Sequence, residues 1–335
     1  MSDFAPYNPE RAALAAGLNN SGSICYLNSL LQALASCTSL RDIALRLRAA
    51  PHEPRLTPVG RALVEALVPE TFDAEAGTRV AAALQAAAAK RADGGEVLGQ
   101  SGMGNQCAHE GLVLLLQAAW RDDEHETRAA GRADRSNPLL KPFIATQRAG
   151  LYDANYTLLG TPVEQDITVQ ELFGLAAHDP ITSAEDPGSF AGYLRRHVEM
   201  IDDCPALPEY GNRAPAWRLY QLSAAAEIIV VAFNCWGNKR AAHWFPESFV
   251  FPGRDDGTDR PAGPRYRLVA QVEHSGTRNG GHYWGRYLRR VEDTGGFSGE
   301  PLEVEGHYIN DGQVGGIRFF APAESTYLLF YHWTL

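Results

Sequence analysis

Three separated segments carry side chains that together could perform nucleophilic catalysis. The first, Gly17 to Leu34, reads GLNNSGSICYLNSLLQAL. Gly17 and Gly22 bend a polar loop that delivers Cys25 to the start of a helix, where unpaired N–H groups and the helix dipole favour a thiolate, the reactive form of cysteine. Asn19 and Asn20 lie just upstream, where a side-chain amide could donate to an oxyanion. The second segment, Glu273 to Arg290, reads EHSGTRNGGHYWGRYLRR. Two strand-like runs flank an Asn-Gly-Gly turn, a strong hairpin signal. His282 opens the return strand as a candidate general base, and His274, before the turn, competes with it. The third segment, GHYINDGQV from Gly306 to Val314, places Asn310 and Asp311 at a strand end. Either could orient an imidazole.

A cysteine at a helix start is, taken alone, more often a buried structural residue. The combination points elsewhere, because the chain order Cys, His, Asn/Asp is that of papain-like nucleophilic catalysis. In that chemistry one of the two histidines takes the thiol proton and Cys25 attacks a carbonyl. The oxyanion falls between an Asn19 or Asn20 side chain and backbone amides, an acyl-thioester forms, and water releases it with the same histidine as base. Asn310 would fix the imidazole tautomer without adding negative charge, and Asp311 would add it.

The elements that must hold these groups follow from apolar spacing. Residues 25–36 place Tyr26, Leu27, Leu30, Leu31 and Leu34 at helical intervals, so a helix begins near Cys25. Further helices are expected at 59–68, 78–92, 108–120 and 189–200. Residues 51–58 form a proline-broken connection, 94–105 a loop, and 121–138 a charged, exposed stretch. From about residue 141 strands dominate, the strongest being 227–234, 266–274, 283–291 and 326–333. Helices first and strands later is an α+β order, not an alternating βαβ one.

These segments resemble the ubiquitin-specific protease family of deubiquitinases. The Cys25 segment looks like its cysteine box and the His282 segment like its histidine box. NQCAHEGL, Asn105 to Leu112, resembles the glutamine-containing box between them. EIIVVAFN resembles the family's central strand, and WFPESFVF and AESTYLLFYHW resemble segments around the histidine box. The likeness runs in order over residues 17–333. It implies a papain-like cysteine protease fold with a helical thumb over 17–140. Fingers and palm would follow over 141–335, after a loose lead-in at 1–16. It implies Cys25 as nucleophile, His282 as general base, Asn310 as third catalytic residue, Asn20 at the oxyanion hole and Asp311 as a supporting acid. Gln106, Glu110, Gly280, Gly281 and Tyr283 would line the substrate. The implied partner is ubiquitin or a ubiquitin conjugate, cleaved after the C-terminal Gly-Gly, with no cofactor.

The sequence departs from the family pattern at four places. Cys107 stands where an acidic residue of the middle box pairs with ubiquitin's basic tail, leaving Glu110 to substitute in part. Cys107 is read as a small packed residue, not a second nucleophile. No C-x2-C pair exists, so a reduced, zinc-free fingers subdomain is expected. Ile24 replaces the threonine common before the nucleophile, and Asn310 replaces the commoner aspartate. The first two bear on substrate choice and not on reaction type. A catalytically silent ubiquitin-binding module and a deconjugase for another ubiquitin-like modifier are the competing readings; ester and isopeptide cleavage would share one acyl-enzyme.

Composition narrows the remaining classes. A net charge of −10 over 335 residues argues against a nucleic-acid binder and suits a basic partner. No run approaches the roughly 18 apolar residues of a membrane span, and the N-terminus lacks the apolar core of a signal peptide. Five scattered cysteines are not a disulfide framework and fit a reducing compartment, so a cytoplasmic setting is expected. The histidines show no H-E-x-x-H spacing, which disfavours a metallohydrolase. Of the 30 basic residues only Lys90, Lys141 and Lys239 are lysines, leaving 27 arginines. A GC-rich genome would produce that bias; so would selection against ubiquitin acceptors in an effector or viral protein working in a host cytosol.

Overall fold

The computed structural model describes residues 16–20, 24–50, 53–89, 107–121, 135–153, 157–168, 174–176, 199–203, 217–224, 226–234, 245–250, 264–277, 280–291, 304–317 and 324–334. Gln106, the 94–105 loop, the 1–16 lead-in up to residue 15 and most of the charged 121–138 stretch lie outside these residues.

Five helices come first: α1 (Cys25–Ser36), α2 (Thr38–Arg48), α3 (Pro58–Glu65), α4 (Ala76–Ala89) and α5 (Ala108–Ala118). Helix α1 starts at the expected residue, and every one of its side chains is buried. Helix α2 was not foreseen. It follows α1 after the single residue Cys37, which turns the chain at φ −84°, ψ 101° without the glycine or proline that would mark a break. Helix α3 carries the expected start signals: Pro58 in its first turn and Thr57 Oγ1 accepting the Gly60 N–H at 3.0 Å.

The strands form two sheets. The larger has eight strands, with the path β11 (Gln313–Ile317), β10 (Val304–Asn310), β9 (Gly280–Val291), β8 (Arg265–Thr277), β12 (Thr326–Thr334), β6 (Ile228–Asn234), β3 (Gly174–Ala176), and β7 (Ser248–Val250) beside β8. The smaller is ordered β2 (Leu158–Thr168), β1 (Ile144–Tyr152), β5 (Trp217–Ala224), β4 (Glu199–Asp203), all antiparallel. The paired strands β6 and β12 carry continuous apolar runs because both faces are covered there: Leu328 to Tyr331 and Ile228 to Phe233 are all buried. One expectation is corrected. Residues 199 and 200, assigned to the end of a helix, belong to β4 and pair with Gln221 and Tyr220. Pairing with a neighbouring strand overrides local spacing, as it commonly does in sheets; residues 189–198 lie outside the described part.

The large sheet and α1 position the site. Helix α1 packs on β9 and β8, with α2, α4 and α5 around its other sides. Tyr287 of β9 donates its hydroxyl hydrogen to the Ser29 carbonyl of α1 at 3.1 Å. At the opposite edge, α2 meets the sheet through a buried polar cluster. Ser39 Oγ lies 2.9 Å from His332 Nε2, while His332 Nδ1–H donates to the Trp333 carbonyl at 2.8 Å. Glu227 Oε1 sits 3.9 Å from the same Nε2. Burial raises the Glu227 carboxyl to about 7 and lowers His332 to about 4.

Candidate active site

The loop before α1 is fixed from two sides. Leu18 N–H donates to the Asp311 carbonyl at 3.0 Å, in the turn between β10 and β11. Gly17 presses on that turn so closely that an added Cβ would lie 2.4 Å from the Gly312 carbonyl oxygen. On the other side Asn19 N–H donates to the Ala74 carbonyl at 2.8 Å, and Asn19 Nδ2 donates to Glu75 at 2.5 Å. Asn19 therefore faces α4, and Asn20 faces the histidine side. Asn20 Oδ1 accepts the N–H of Ile24, the residue before α1, at 3.0 Å, while its Nδ2 donates to Asp311 Oδ2 at 3.1 Å.

Cys25 opens α1 and is buried. Burial pushes its thiol up, the Tyr283 backbone N–H pulls it down, and the Asp311 carboxylate raises it again. The resting thiol thus holds its proton more firmly than the helix start alone would predict. The histidine expected as its base stands in β9 one residue before Tyr283. His282 Nε2 is 2.6 Å from Asn310 Oδ1 and 3.7 Å from Asp311 Oδ2. An amide oxygen only accepts, so Nε2 carries the hydrogen and Nδ1 keeps the lone pair. The Trp284 ring lies nearly parallel to the imidazole, with centroids 6.2 Å apart. Asn310 is itself held, its Nδ2 donating to the Tyr308 hydroxyl at 3.2 Å. Asp311 reaches the site because it adopts a left-handed φ of 49° in the two-residue turn closed by the Asn310–Gln313 pair.

The geometry separates the two histidines. His274 is buried, its ring 4.4 Å from that of Tyr283 and 6.0 Å from that of Tyr327. It is a packing residue beneath the β8–β9 turn. Gly281 permits that packing, since a Cβ there would come within 2.3 Å of His274 Nε2. Gly280 and Gly281 open β9 at the exposed end of the hairpin. Tyr283, expected at the substrate, buries its ring and offers the site only its backbone N–H. Glu110 is exposed in the first turn of α5. Cys107, immediately before α5, shares a 2.7 Å hydrogen bond with the Tyr327 hydroxyl. Burial raises its thiol as well. Among the described residues no group of three or more His, Cys, Asp or Glu could hold a metal ion.

Comparison with known proteins follows this geometry. Residues 16–90, which include the Asn20–Cys25 loop and helix, match the family described as ubiquitin carboxyl-terminal hydrolase. Over those residues the chain is similar to that family. No curated protein sequence matches it beyond that. Solved structures extend the likeness to the whole fold. A SAGA DUB module with Ubp8, Sgf11, Sus1 and Sgf73 bound to ubiquitin aldehyde superposes with TM-score 0.65 at 14% identity, over 99% of this chain and 72% of that one. The same module with a substituted Ubp8, bound to monoubiquitin, gives TM-score 0.61 at 15% identity, over 99% and 72%. A yeast SAGA DUB module with a mutant Sgf73 gives 0.62 at 16% identity, over 99% and 71%. At such identities the likeness is one of fold.

Residues outside the expected site complete it. Asn28, Ser29 and Gln32 are polar positions on a wholly buried helix, three, four and seven residues after Cys25 and hence on one side of α1. Gln32 Nε2 donates to the Ala16 carbonyl at 2.5 Å, and Asn28 Nδ2 to the Asn19 carbonyl at 3.2 Å. Polar side chains inside an otherwise apolar helix were the available signal.

Proposed function

We propose that the protein is a deubiquitinase that hydrolyses the isopeptide or ester bond after the C-terminal glycine of ubiquitin. The observation that carries this reading is the 2.6 Å contact of His282 with Asn310, one residue from the N–H that meets the Cys25 sulfur. The family match over the cysteine segment and the fold shared with ubiquitin-bound modules support it. In the mechanism His282 Nδ1 removes the thiol proton as Cys25 attacks the carbonyl carbon. The oxyanion takes hydrogen bonds from Asn20 and backbone amides. His282 then returns the proton to the leaving amine, and water hydrolyses the thioester with His282 again as base. Asn310 fixes the tautomer, and Asp311 supplies the negative charge that an amide cannot give the imidazolium.

The four-stranded sheet would be a zinc-free fingers subdomain holding the globular part of ubiquitin. Because Cys107 turns inward to Tyr327, exposed Glu110 is the acidic residue of α5 left for ubiquitin's basic tail. The scarcity of lysine supports action in a eukaryotic cytosol, where few acceptor amines would slow the protein's own ubiquitylation. Hydrolysis of a ubiquitin C-terminal fluorophore amide tests the reading. Wild type should release fluorophore and Cys25→Ala should not. Binding of ubiquitin without release by wild type would instead assign a silent binding module.

A further inference from the structure

Asn28 stands three residues into α1 from Cys25, buried, with no expected role. Its two amide atoms do different things. Nδ2 donates to the Asn19 carbonyl at 3.2 Å, which is the carbonyl of the peptide unit leading into Asn20. Oδ1 has no hydrogen-bond partner and faces Gly77 of α4, where an added Cβ would lie 1.9 Å from it. The orientation is determined, because a flipped amide would set two oxygens against each other at Asn19. An unpaired buried amide oxygen is costly. It is retained here where α4 has no side chain and its backbone comes closest to α1.

The turn before α4 makes two further contacts to Asn19, from the Ala74 carbonyl to its N–H and from Glu75 to its Nδ2. Three bonds therefore converge on Asn19, one residue before the side chain that would meet the oxyanion. We propose that Asn28 is a positioning residue: it locks the Asn19–Asn20 peptide so that the Asn20 amide is aimed at the oxyanion, and Gly77 of α4 keeps Asn28 in place. This rests on the deubiquitinase reading for its catalytic consequence. Its structural consequence, order at Asn19, does not depend on any substrate.

The test uses the full chain with Asn28→Asp, Asn28→Ala, Gly77→Ala and the Asn28→Ala/Gly77→Ala double variant. Asn28→Ala removes the donor without adding charge, and Asn28→Asp keeps the shape but sets an oxygen, and with ionisation a negative charge, against the Asn19 carbonyl. Displacing a catalytic group by about 1 Å can cost on the order of 10²-fold in rate. The expected result for Asn28→Ala is therefore a kcat lower by about 10- to 100-fold with KM within about 2-fold, and an unchanged rate of Cys25 alkylation by iodoacetamide. Gly77→Ala should reproduce the kcat loss in wild type yet add little to Asn28→Ala, because the shortened side chain leaves room for the methyl group. Amide hydrogen exchange at Asn19 should quicken in each single variant. Equal losses of kcat, alkylation rate and thermal stability would overturn the proposal in favour of general helix packing. So would unchanged exchange at Asn19, even if wild type hydrolysed no ubiquitin substrate, an outcome that would refute the deubiquitinase reading separately.

Discussion

Cys25 and Cys107 occupy equivalent places at two helix starts. Cys25 is the first residue of α1 and Cys107 the residue before α5. Both thiols are pushed up by burial, both are eased by nearby backbone N–H groups, and each has a carboxylate close enough to raise it, Asp311 for one and Glu110 for the other. A helix N-terminus favours a thiolate, and in both places desolvation outweighs it. The difference lies in the side chain supplied by the sheet. On the Cys25 side it is His282, one residue before the Tyr283 N–H, half-exposed and oriented by Asn310; against Cys107 it is Tyr327, a phenol raised far above its ordinary range. A phenol so raised cannot accept a thiol proton near neutral pH, and an imidazole can. The helix start is shared, and on the proposed reading the base decides which cysteine is the nucleophile.

Substitutions at the two cysteines test this contrast most strongly. Cys25→Ala should lower hydrolysis of ubiquitin–fluorophore by roughly 10⁴-fold or more, as removal of a nucleophile does elsewhere. Cys107→Ser should keep kcat/KM within about 3-fold, because a hydroxyl can replace the thiol in the bond to Tyr327. A loss at Cys107 comparable to that at Cys25 would remove the distinction.

The orienting residues should come next. Asn310→Ala frees the imidazole and should reduce kcat by about 10²-fold, with smaller change in KM. Asp311→Asn takes away a charge that raises the Cys25 thiol. The alkylation rate of Cys25 should therefore reach its midpoint at lower pH in this variant, even as turnover falls. The profile of Cys107 should stay where it is. An unmoved Cys25 midpoint would remove Asp311 from the electrostatics of the site.

The smallest effect is expected at the polar cluster between α2 and the sheet, remote from both cysteines. Glu227 binds its proton more tightly folded than unfolded, so stability is lost as pH rises from its ordinary 4.5 to about 7. His332, held neutral down to about 4 against an ordinary 6.5, gives the opposite slope, a gain as pH rises through that window. The two oppose each other up to about 6.5, above which only the Glu227 cost persists. Glu227→Gln removes that cost alone. Its Tm relative to wild type should climb by roughly a few degrees between pH 5 and pH 8, with catalysis unaffected.

Much of the site was legible because its residues sit in strong local patterns. Cys25 opens a helix whose apolar spacing is regular, and His282 follows a turn whose glycines mark a hairpin. Spacing left His274 as a competitor of His282, since both flank the same turn, and the family resemblance preferred His282; the difference in their burial was not legible. It depends on register: Ser275 pairs with His282 and His274 with Tyr283, which buries one ring and leaves the other half-exposed. Helix α2 escaped because Cys37 is no obvious breaker. Strand β4 escaped because its partner β5 lies beyond it in sequence. Asn28 escaped because its partners Asn19 and Gly77 are brought to it only by packing of α4 on α1. The burial of the Tyr283 ring was not legible for a related reason, since alternation along β9 turns it inward.

The most direct measurement is the site of covalent capture by ubiquitin bearing a C-terminal electrophile, followed by intact-mass and peptide analysis of the adduct. One ubiquitin on Cys25, with none on Cys107 and none in Cys25→Ala, is the predicted result. An adduct on Cys107, or no adduct with wild type, would contradict the assignment of Cys25, oriented His282 and Asn310 as a deubiquitinating site.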